Sequence, residues 1–344
     1  MVEDIMLREI KEQPEVIKRL AADKDSHAML LAADLLGQAK ATSANIYLVG
    51  NGSSYHACIY GQHILSKHAG IIAHLVNSGE FTPFADNLRE NDVVILVSQS
   101  GETGDARRLI SNFKSKISNL IVITNYPEST LGQAADIVLP MLAGVCQAVP
   151  NTKGYTASMT IFALLADGVR GSDDFVRHVN TIDSDISRII QTEYDRLVAI
   201  SDKLSSSKNI FVLAHGAGLA NAYEAALKIK ECSHIEAEGY SALEFRHGHS
   251  SVVSQGTPII VFMADYESET DLSPLLDIIG QPDPYIIGFG SVDHKQFDQR
   301  FDAFEHDLYS TIPAIVPVQI LAYELALSRG INPDSPGGVM KIVE

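Results

Sequence analysis

The chain of 344 residues contains no tryptophan, only three cysteines and far fewer basic than acidic side chains. Lys and Arg total 26 against 43 Asp and Glu, so the formal net charge is −17. Nucleic-acid-binding proteins neutralise phosphates with clustered basic side chains, so this balance argues against a nucleic-acid partner. An anionic ligand must instead be attracted by local hydrogen-bond donors, because the overall field repels it.

Long apolar segments are also missing. The longest apolar runs, such as Val93–Val97, have the length of a strand, well below the ~20 residues of a membrane-spanning helix. Charge begins at Glu3, so the N-terminus does not resemble a signal peptide. Cys58, Cys146 and Cys232 have no metal-ligand spacing. We therefore expect no membrane association, no metal and no cofactor, and a location in the reducing cytoplasm.

Apolar periodicity organises what is present. Residues 1–42 and 151–205 have helical spacing, whereas short β-branched runs alternate with helical patterns elsewhere. This alternation predicts parallel sheets covered by helices on both faces. The predicted strands are 46–49, 72–75, 92–97, 120–124 and 137–139 in the first half. In the second half, strands are predicted within 209–218 and 255–263 and at 284–288 and 311–316.

The second half repeats the first. Residues 209–218 echo residues 45–54 at an offset of 164 residues, and residues 255–263 echo 90–97. We interpret this as an α/β fold made of a tandem pair of doubly wound, flavodoxin-like parallel-sheet domains. One large α/β domain with a chance echo is the alternative. The expected boundaries are N-terminal helices 1–42, first domain 43–170, helical linker 171–205, second domain 206–330 and C-terminal tail 331–344.

A phosphate site is predicted after the strand at 93–97. Ser98, Ser100 and Thr103 surround a glycine just before a helix, where free N–H groups and hydroxyls favour an anion. An ordinary helix N-cap is the alternative. The matching stretch of the second copy has lost the hydroxyls and carries Asp265, so only the first copy should hold phosphate. Ser53 and Ser54 follow a second glycine-rich turn at 50–52.

Ionisable side chains form a second candidate site. Glu224, Lys228 and Glu231 are spaced i, i+4, i+7 and share one helix stripe, where a lysine can orient a carboxylate base. A solvated face with surface ion pairs is the alternative. His247 lies in a glycine-containing loop and can act as a proton shuttle or bond the backbone. Lys341 by itself has the character of a solvated tail lysine.

These motifs together resemble the SIS (sugar isomerase) domain family, in particular the isomerase half of glucosamine-6-phosphate synthases. The resemblance extends from Arg8 to Glu344 and is most specific at residues 98–103 (SQSGET) and 224–231 (EAALKIKE). It implies that Ser98, Gln99, Ser100 and Thr103 bind a sugar phosphate. Contacts to the sugar are implied for the turn residues Ser53, Ser54, Val149 and Asn151.

The resemblance also implies catalytic roles. Glu231 matches the residue that moves a proton between sugar C1 and C2, and Lys228 matches its neighbour. His247 matches a ring-opening residue that reaches the site from the other subunit, which implies a homodimer with shared active sites. Lys341 matches a tail lysine that can form a Schiff base with an open-chain ketose.

Departures from the family pattern affect the expected substrate. A glutaminase half is not found, Asn151 stands where a serine is common, and His249 replaces the proline after the His-Gly pair. We expect an aldose–ketose isomerase or deaminase acting on an amino-sugar 6-phosphate, interconverting glucosamine 6-phosphate with fructose 6-phosphate and ammonia. A fructosamine-6-phosphate deglycase and a sugar-phosphate-sensing binding protein are the alternatives.

Overall fold

Two compact units make up the described chain. The computed structural model describes residues 4–263, 266–290, 292–301, 308–338 and 340–341, with side chains throughout except at 266–271. The first-sheet unit comprises Glu12–Cys146, Lys153–Val179 and Met340–Glu344. The second-sheet unit comprises Met1–Lys11, Gln147–Thr152 and Asn180–Val339. Each unit is therefore assembled from segments that are far apart in sequence.

The first sheet is parallel throughout, with strand order 2-1-3-4-5. Its three central strands are buried along their length, because both faces are covered and the sequence there is continuously apolar. The two edge strands are only partly buried. The strands are β1 (Ile46–Gly50), β2 (His74–Asn77), β3 (Val93–Val97), β4 (Asn119–Thr124) and β5 (Ile137–Pro140).

The second sheet repeats this order. Its hydrogen-bonded sequence is β10-β9-β8-β6-β7, which is again 5-4-3-1-2 counted from its own first strand, and every pair is parallel. The strands are β6 (Asn209–Ala214), β7 (Glu236–Ser241), β8 (Pro258–Met263), β9 (Tyr285–Gly290) and β10 (Gln299–Phe301). The predicted tandem pair of doubly wound parallel sheets is confirmed, as is the helical N-terminus.

Helices connect the strands and cover the sheets. A π-helical turn, Ile189–Glu193, joins α9 to α10. The helices are α1 (Ile5–Lys11), α2 (Gln13–Ala22), α3 (His27–Ala41), α4 (Ser53–Ala69), α5 (Thr82–Ala85), α6 (Gly104–Phe113), α7 (Thr130–Ala134), α8 (Lys153–Arg170), α9 (Asp174–Arg188), α10 (Tyr194–Leu204), α11 (Leu219–Ser233), α12 (Ala242–Phe245), α13 (Tyr266–Ile279), α14 (Thr311–Ala314) and α15 (Val316–Ser328).

One predicted strand is wrong. Residues 311–316 form α14 and the start of α15, and the last strand of the sheet is β10. A short, fully buried apolar run has the same composition in a helix and in a strand, so its β-branched residues misled the prediction. The helical stretch Leu308–Ser328 has the length and apolarity of a membrane span, but 94% of its apolar window is buried inside the protein, as in a core helix.

Asp92 ties the N-terminal ends of β1 and β3 together. Its carboxylate accepts hydrogen bonds from the backbone N–H groups of Asn45 (2.7 Å) and Arg89 (3.0 Å) and pairs with the Arg89 guanidinium at 3.0 Å. Burial alone would raise the pKa of Asp92, but these donors outweigh it and hold the pKa below its ordinary value. The ionised carboxylate therefore stabilises the fold.

We predict that Asp92→Ala lowers the free energy of unfolding by about 2–4 kcal/mol at pH 7, because two backbone donors lose a charged acceptor. Since the folded pKa is depressed, the contribution is complete above the unfolded value of ~3.9 and disappears as the pH falls through the folded value. Urea titrations at pH 7 and pH 3 measure this. Asp86→Ala, which removes an exposed ion pair to Lys116, is the control and should cost under about 1 kcal/mol. Equal losses in the two variants would contradict the assignment.

Candidate functional site

The predicted phosphate loop lies where the strand order of the first sheet reverses. β1 pairs with β2 on one side and β3 on the other, so the segments that follow β1 and β3 diverge at the carboxyl edge of the sheet. Ligands of doubly wound sheets bind at this position. Residues 98–103 follow β3, and Ser53 and Ser54 begin α4 after β1. The topology thus brings two predicted segments to one edge.

Hydrogen bonds within residues 98–103 fix the positions of the hydroxyls. The Ser98 and Thr103 hydroxyl oxygens lie 3.0 Å apart. The N–H of Gly101 donates to Ser98 Oγ at 3.2 Å, and the N–H of Glu102 donates to Ser100 Oγ at 3.2 Å. One hydroxyl of the Ser98–Thr103 pair donates to the other, so the second hydroxyl of that pair and the Ser100 hydroxyl keep protons that can be donated outward. Thr103 is the N-cap of α6 and makes no side-chain capping bond, so the N-cap alternative does not account for it.

Gly101 is required at the tip of this loop. Its φ is +65°, and a Cβ atom there would lie 1.9 Å from Ser129 Oγ. The neighbouring segment is also bound to the loop, since Leu131 N–H donates to the Gly101 carbonyl at 3.2 Å. Glu102 accepts from Thr130 N–H at 2.7 Å, and these bonds hold its pKa below the ordinary value. The loop is therefore a preorganised structure.

Two amide side chains lie in the segments that follow β3 and β1. Gln99 carries a buried Nε2 with no hydrogen-bond partner among the residues that the structure describes, so a donor remains for a ligand. Sequence reasoning missed Asn51, whose Nδ2 donates to Asp105 at 3.3 Å and whose Oδ1 accepts from Ser78 N–H at 3.2 Å. It thereby ties the turn after β1 to the first turn of α6. Its position within Gly50-Asn-Gly52 was the available signal.

The acid–base stripe lies on α11 in the second-sheet unit. Lys228 is buried, and its Nζ lies 3.5 Å from Glu224 Oε1 and in hydrogen-bond contact with Glu231 Oε2. The Glu224 side chain is 0% exposed, whereas that of Glu231 is 16% exposed. The solvated-face alternative is therefore wrong for Glu224 and Lys228. Glu231 is the member of this cluster that reaches solvent.

Electrostatics keep the Lys228 ammonium charged. Burial disfavours the Lys228 ammonium, but the charges of Glu231 and Glu224 outweigh burial and raise its pKa above the ordinary lysine range. The next residue, Cys232, behaves differently. Burial raises the pKa of its thiol to about 12, so it stays protonated and is not a nucleophile. The arrangement can present an oriented carboxylate next to a fixed positive charge.

The remaining predicted residues lie in three other segments. Val149 and Asn151 belong to the turn before α8, where Val149 N–H donates to the Asp334 carbonyl at 2.9 Å. His247 is exposed just after α12, with its N–H bonded to the Glu244 carbonyl at 2.9 Å. Lys341 is exposed and groups with the first-sheet unit. Asp265, on which the comparison of the two copies relied, lies outside the described residues.

His249, the departure from the family pattern, packs against aromatic side chains. Its ring centroid lies 4.5 Å from that of Tyr240 and 6.4 Å from that of Phe245. Across the described ranges, no group of three His, Cys, Asp or Glu side chains is arranged to hold a metal ion.

We predict that Gly101→Ala lowers the free energy of unfolding by about 3 kcal/mol or more and weakens binding of a sugar phosphate, because positive φ and the contact with Ser129 act together. Gly144→Ala is the matched control. Its φ is +66° with nothing within 4 Å of the added Cβ, so it should cost only about 1 kcal/mol. Calorimetry with fructose 6-phosphate and denaturant titrations measure both effects. Equal behaviour of the two variants would show that the loop does not depend on Gly101.

Comparison with known proteins gives the family. The SIS domain profile matches residues 41–167 and 203–274, more than half of the chain. The glutamine–fructose-6-phosphate aminotransferase [isomerizing] of Shouchella clausii is 31% identical over 98% of this chain, which spans 58% of that protein's length. The protein of the same name from Bacillus subtilis is 29% identical over 98% of this chain and 58% of its own length.

Solved structures show the same fold. The C-terminal domain of glucosamine-fructose-6-phosphate aminotransferase from Francisella tularensis superposes with a TM-score of 0.86 at 22% identity, covering 97% of this chain and 98% of that one. Glucosamine-6-phosphate deaminase from Thermotoga maritima superposes with a TM-score of 0.75 at 23% identity, covering 98% and 99%. The family profile covers most of both sheets and includes the motifs at residues 98–103 and 224–231. The chain therefore belongs to the SIS domain family.

Proposed function

We propose that this protein is an aldose–ketose isomerase and deaminase that converts glucosamine 6-phosphate and water to fructose 6-phosphate and ammonia. The observation that carries the proposal is the buried Lys228 ammonium, which pairs with buried Glu224 and with the partly exposed Glu231. Burying charges is costly and does not by itself stabilise a fold. An oriented carboxylate at the surface of such a cluster is what proton transfer next to a carbonyl requires.

In this proposal the substrate phosphate binds the loop after β3. Ser100 and one of the hydrogen-bonded pair Ser98 and Thr103 donate hydroxyl protons. Gln99 Nε2, which has no partner among the described residues, adds a further donor, and the α6 N-terminus contributes its dipole. None of these donors carries a formal charge, which suits a chain with a net charge of −17. Ser53 and Ser54 at the start of α4, and Val149 and Asn151 in the turn before α8, are the proposed sugar contacts.

Glu231 is the proposed base. In the open-chain amino sugar it removes the proton from C2 while O1 takes a proton from water, which gives an enolamine. It then returns the C2 proton to C1 while the nitrogen releases a proton to water. The product is the C2 imine, to which water adds before ammonia leaves. Lys228 orients the carboxylate. The Thermotoga maritima protein of the same fold is a glucosamine-6-phosphate deaminase by name.

Two further roles belong to the proposal. Lys341 is the amine that condenses with the open-chain ketose to form a Schiff base and releases water. Borohydride added during turnover should reduce this Schiff base and leave the sugar attached to Lys341. Absence of this adduct from an active enzyme would remove this step. We also propose that the enzyme acts in the cytoplasm, which fits the three free, buried cysteines.

The test is ammonia release from glucosamine 6-phosphate with fructose 6-phosphate detected in the same reaction. We expect both products with the native chain. Glu231→Gln should reduce kcat at least about 1000-fold while leaving the Kd for fructose 6-phosphate within about threefold, because only the proton carrier is lost. Gln retains the shape and a hydrogen-bond acceptor for Lys228.

Lys230→Gln provides the matched control, since this lysine is exposed on the same helix and should leave kcat unchanged. Turnover that survives in Glu231→Gln would refute the base assignment. Release of sugar phosphate and amine from fructosamine 6-phosphates, without deamination of glucosamine 6-phosphate, would establish the deglycase instead. Binding without turnover of either substrate would establish a sensor.

A homodimer is the proposed assembly, in which His247 assists ring opening in the site of the partner subunit. Mixing inactive His247→Ala and Glu231→Gln chains after denaturation and refolding should restore about a quarter of native activity, because half of the dimers are mixed and each has one intact site. Sedimentation should give twice the chain mass of 37.3 kDa. If the mixture stays inactive although it forms dimers, each site uses its own His247.

A further inference from the structure

Helix α1 contacts three segments of the second-sheet unit that carry predicted site residues. The Met6 N–H in its first turn donates to Asp334 Oδ1 at 2.8 Å, at the start of the C-terminal tail. The Met6 sulfur lies 3.8 Å from Cys232 Sγ, next to Glu231 on α11. On the next turn, the Glu9 carboxylate bonds to the turn before α8. Helix α1 thus contacts α11 next to the proposed base, the turn before α8 and the start of the C-terminal tail.

Glu9 holds the turn by its backbone. Glu9 is buried, with only 2% of the residue exposed. Its Oε1 accepts from the N–H groups of Gln147 and Ala148, the latter at 3.3 Å. Two adjacent amides converging on one buried carboxylate oxygen leave the turn few alternative conformations. An exposed contact adds to this, since Arg8 donates to Gln147 Oε1 at 2.8 Å.

Asp334 holds the next residue of the same turn. Its carbonyl accepts from Val149 N–H at 2.9 Å, while its carboxylate accepts from Met6 N–H. Its own N–H donates to Asn332 Oδ1 at 3.0 Å, which fixes the backbone of the tail at this point. The backbone amides of residues 147, 148 and 149 are therefore all bound, two by Glu9 and one by Asp334.

We infer that Glu9 and Asp334 are positioning residues for sugar recognition: they hold the turn that carries Val149 and Asn151 in its substrate-binding conformation. The inference rests on the proposed function for the sugar contacts of that turn. Neither carboxylate contacts the ligand in this scheme. Their effect is on the affinity for the sugar, whereas the proton-transfer step belongs to Glu231.

The experiment compares Glu9→Ala with Glu9→Gln. Alanine removes the acceptor for both amides, whereas glutamine keeps an oxygen at the same place. We expect Glu9→Ala to raise the Kd for fructose 6-phosphate and the KM for glucosamine 6-phosphate about tenfold, with kcat within about threefold of native. Glu9→Gln should restore both to within about twofold. Hydrogen exchange of the amides of residues 147 and 148 should accelerate in Glu9→Ala only, because these are the two amides that Glu9 binds.

Tyr323→Phe is the control for general loosening around α1. It removes the 2.6 Å hydrogen bond from Tyr323 to Asp4, just before α1, without touching the turn. It should leave the Kd and the exchange at 147–149 unchanged. Asp334→Ala with Asp334→Asn is the second pair, in case Glu9→Ala does not fold. Alanine removes the acceptor of the Met6 N–H and asparagine keeps it, while the carbonyl that binds Val149 N–H remains in both. We expect the Kd for fructose 6-phosphate to rise in Asp334→Ala only, because α1, which carries Glu9, is then less firmly held.

Three results would overturn the inference: unchanged exchange at residues 147 and 148 in Glu9→Ala, accelerated exchange with an unchanged Kd, or an equal rise in Kd in Tyr323→Phe. An absence of detectable fructose 6-phosphate binding to the native chain would also overturn it. Failure of the proposed function gives a different pattern, in which the sugar phosphate binds with the expected sensitivity to Glu9→Ala but no substrate is turned over.

Discussion

The second-sheet unit depends on a buried positive charge. Lys228 on α11 is buried, and burying an unpaired ammonium would cost a large free energy. Its ion pairs with Glu224 and Glu231 offset this cost. Removing one member of such a buried pair typically costs about 3–5 kcal/mol, because the other charge is left without compensation. All three members lie on α11, so the pairing orients the Glu231 carboxylate on that helix. It thereby sets the direction in which Glu231 meets solvent.

The first-sheet unit raises a different question, because we propose that it binds an anion in a protein with a net charge of −17. The proposed binding loop carries hydroxyl and amide donors at the start of α6, where the order of parallel strands reverses. The loop is shaped before any ligand arrives, because Gly101 packs against Ser129 and Glu102 is held by Thr130. A preorganised site of neutral donors needs no basic patch.

Two segments that are distant in sequence also act together within the second-sheet unit. Helix α1 and the residues around Asp334 both belong to the second-sheet unit, and together they bind the backbone of the turn at 147–149. Carboxylates that accept backbone N–H groups are stronger restraints than neutral acceptors. A segment whose sequence is unremarkable, Gln147–Thr152, is thus ordered by partners at least 135 residues away along the chain.

The sequence by itself determined the alternation of strands and helices, the duplication and the place of the loop after β3 that we propose binds phosphate, because these depend on local apolarity and on short motifs. It did not distinguish a buried helix from a strand at 311–316, since a short apolar run has the same composition in both. It also left Lys228 and Glu224 open to interpretation as a solvated face. Only the tertiary structure decided that they are buried, and only it joined Glu9 and Asp334 to the turn before α8. Burial and long-range hydrogen bonds depend on packing between distant segments, which no local pattern encodes.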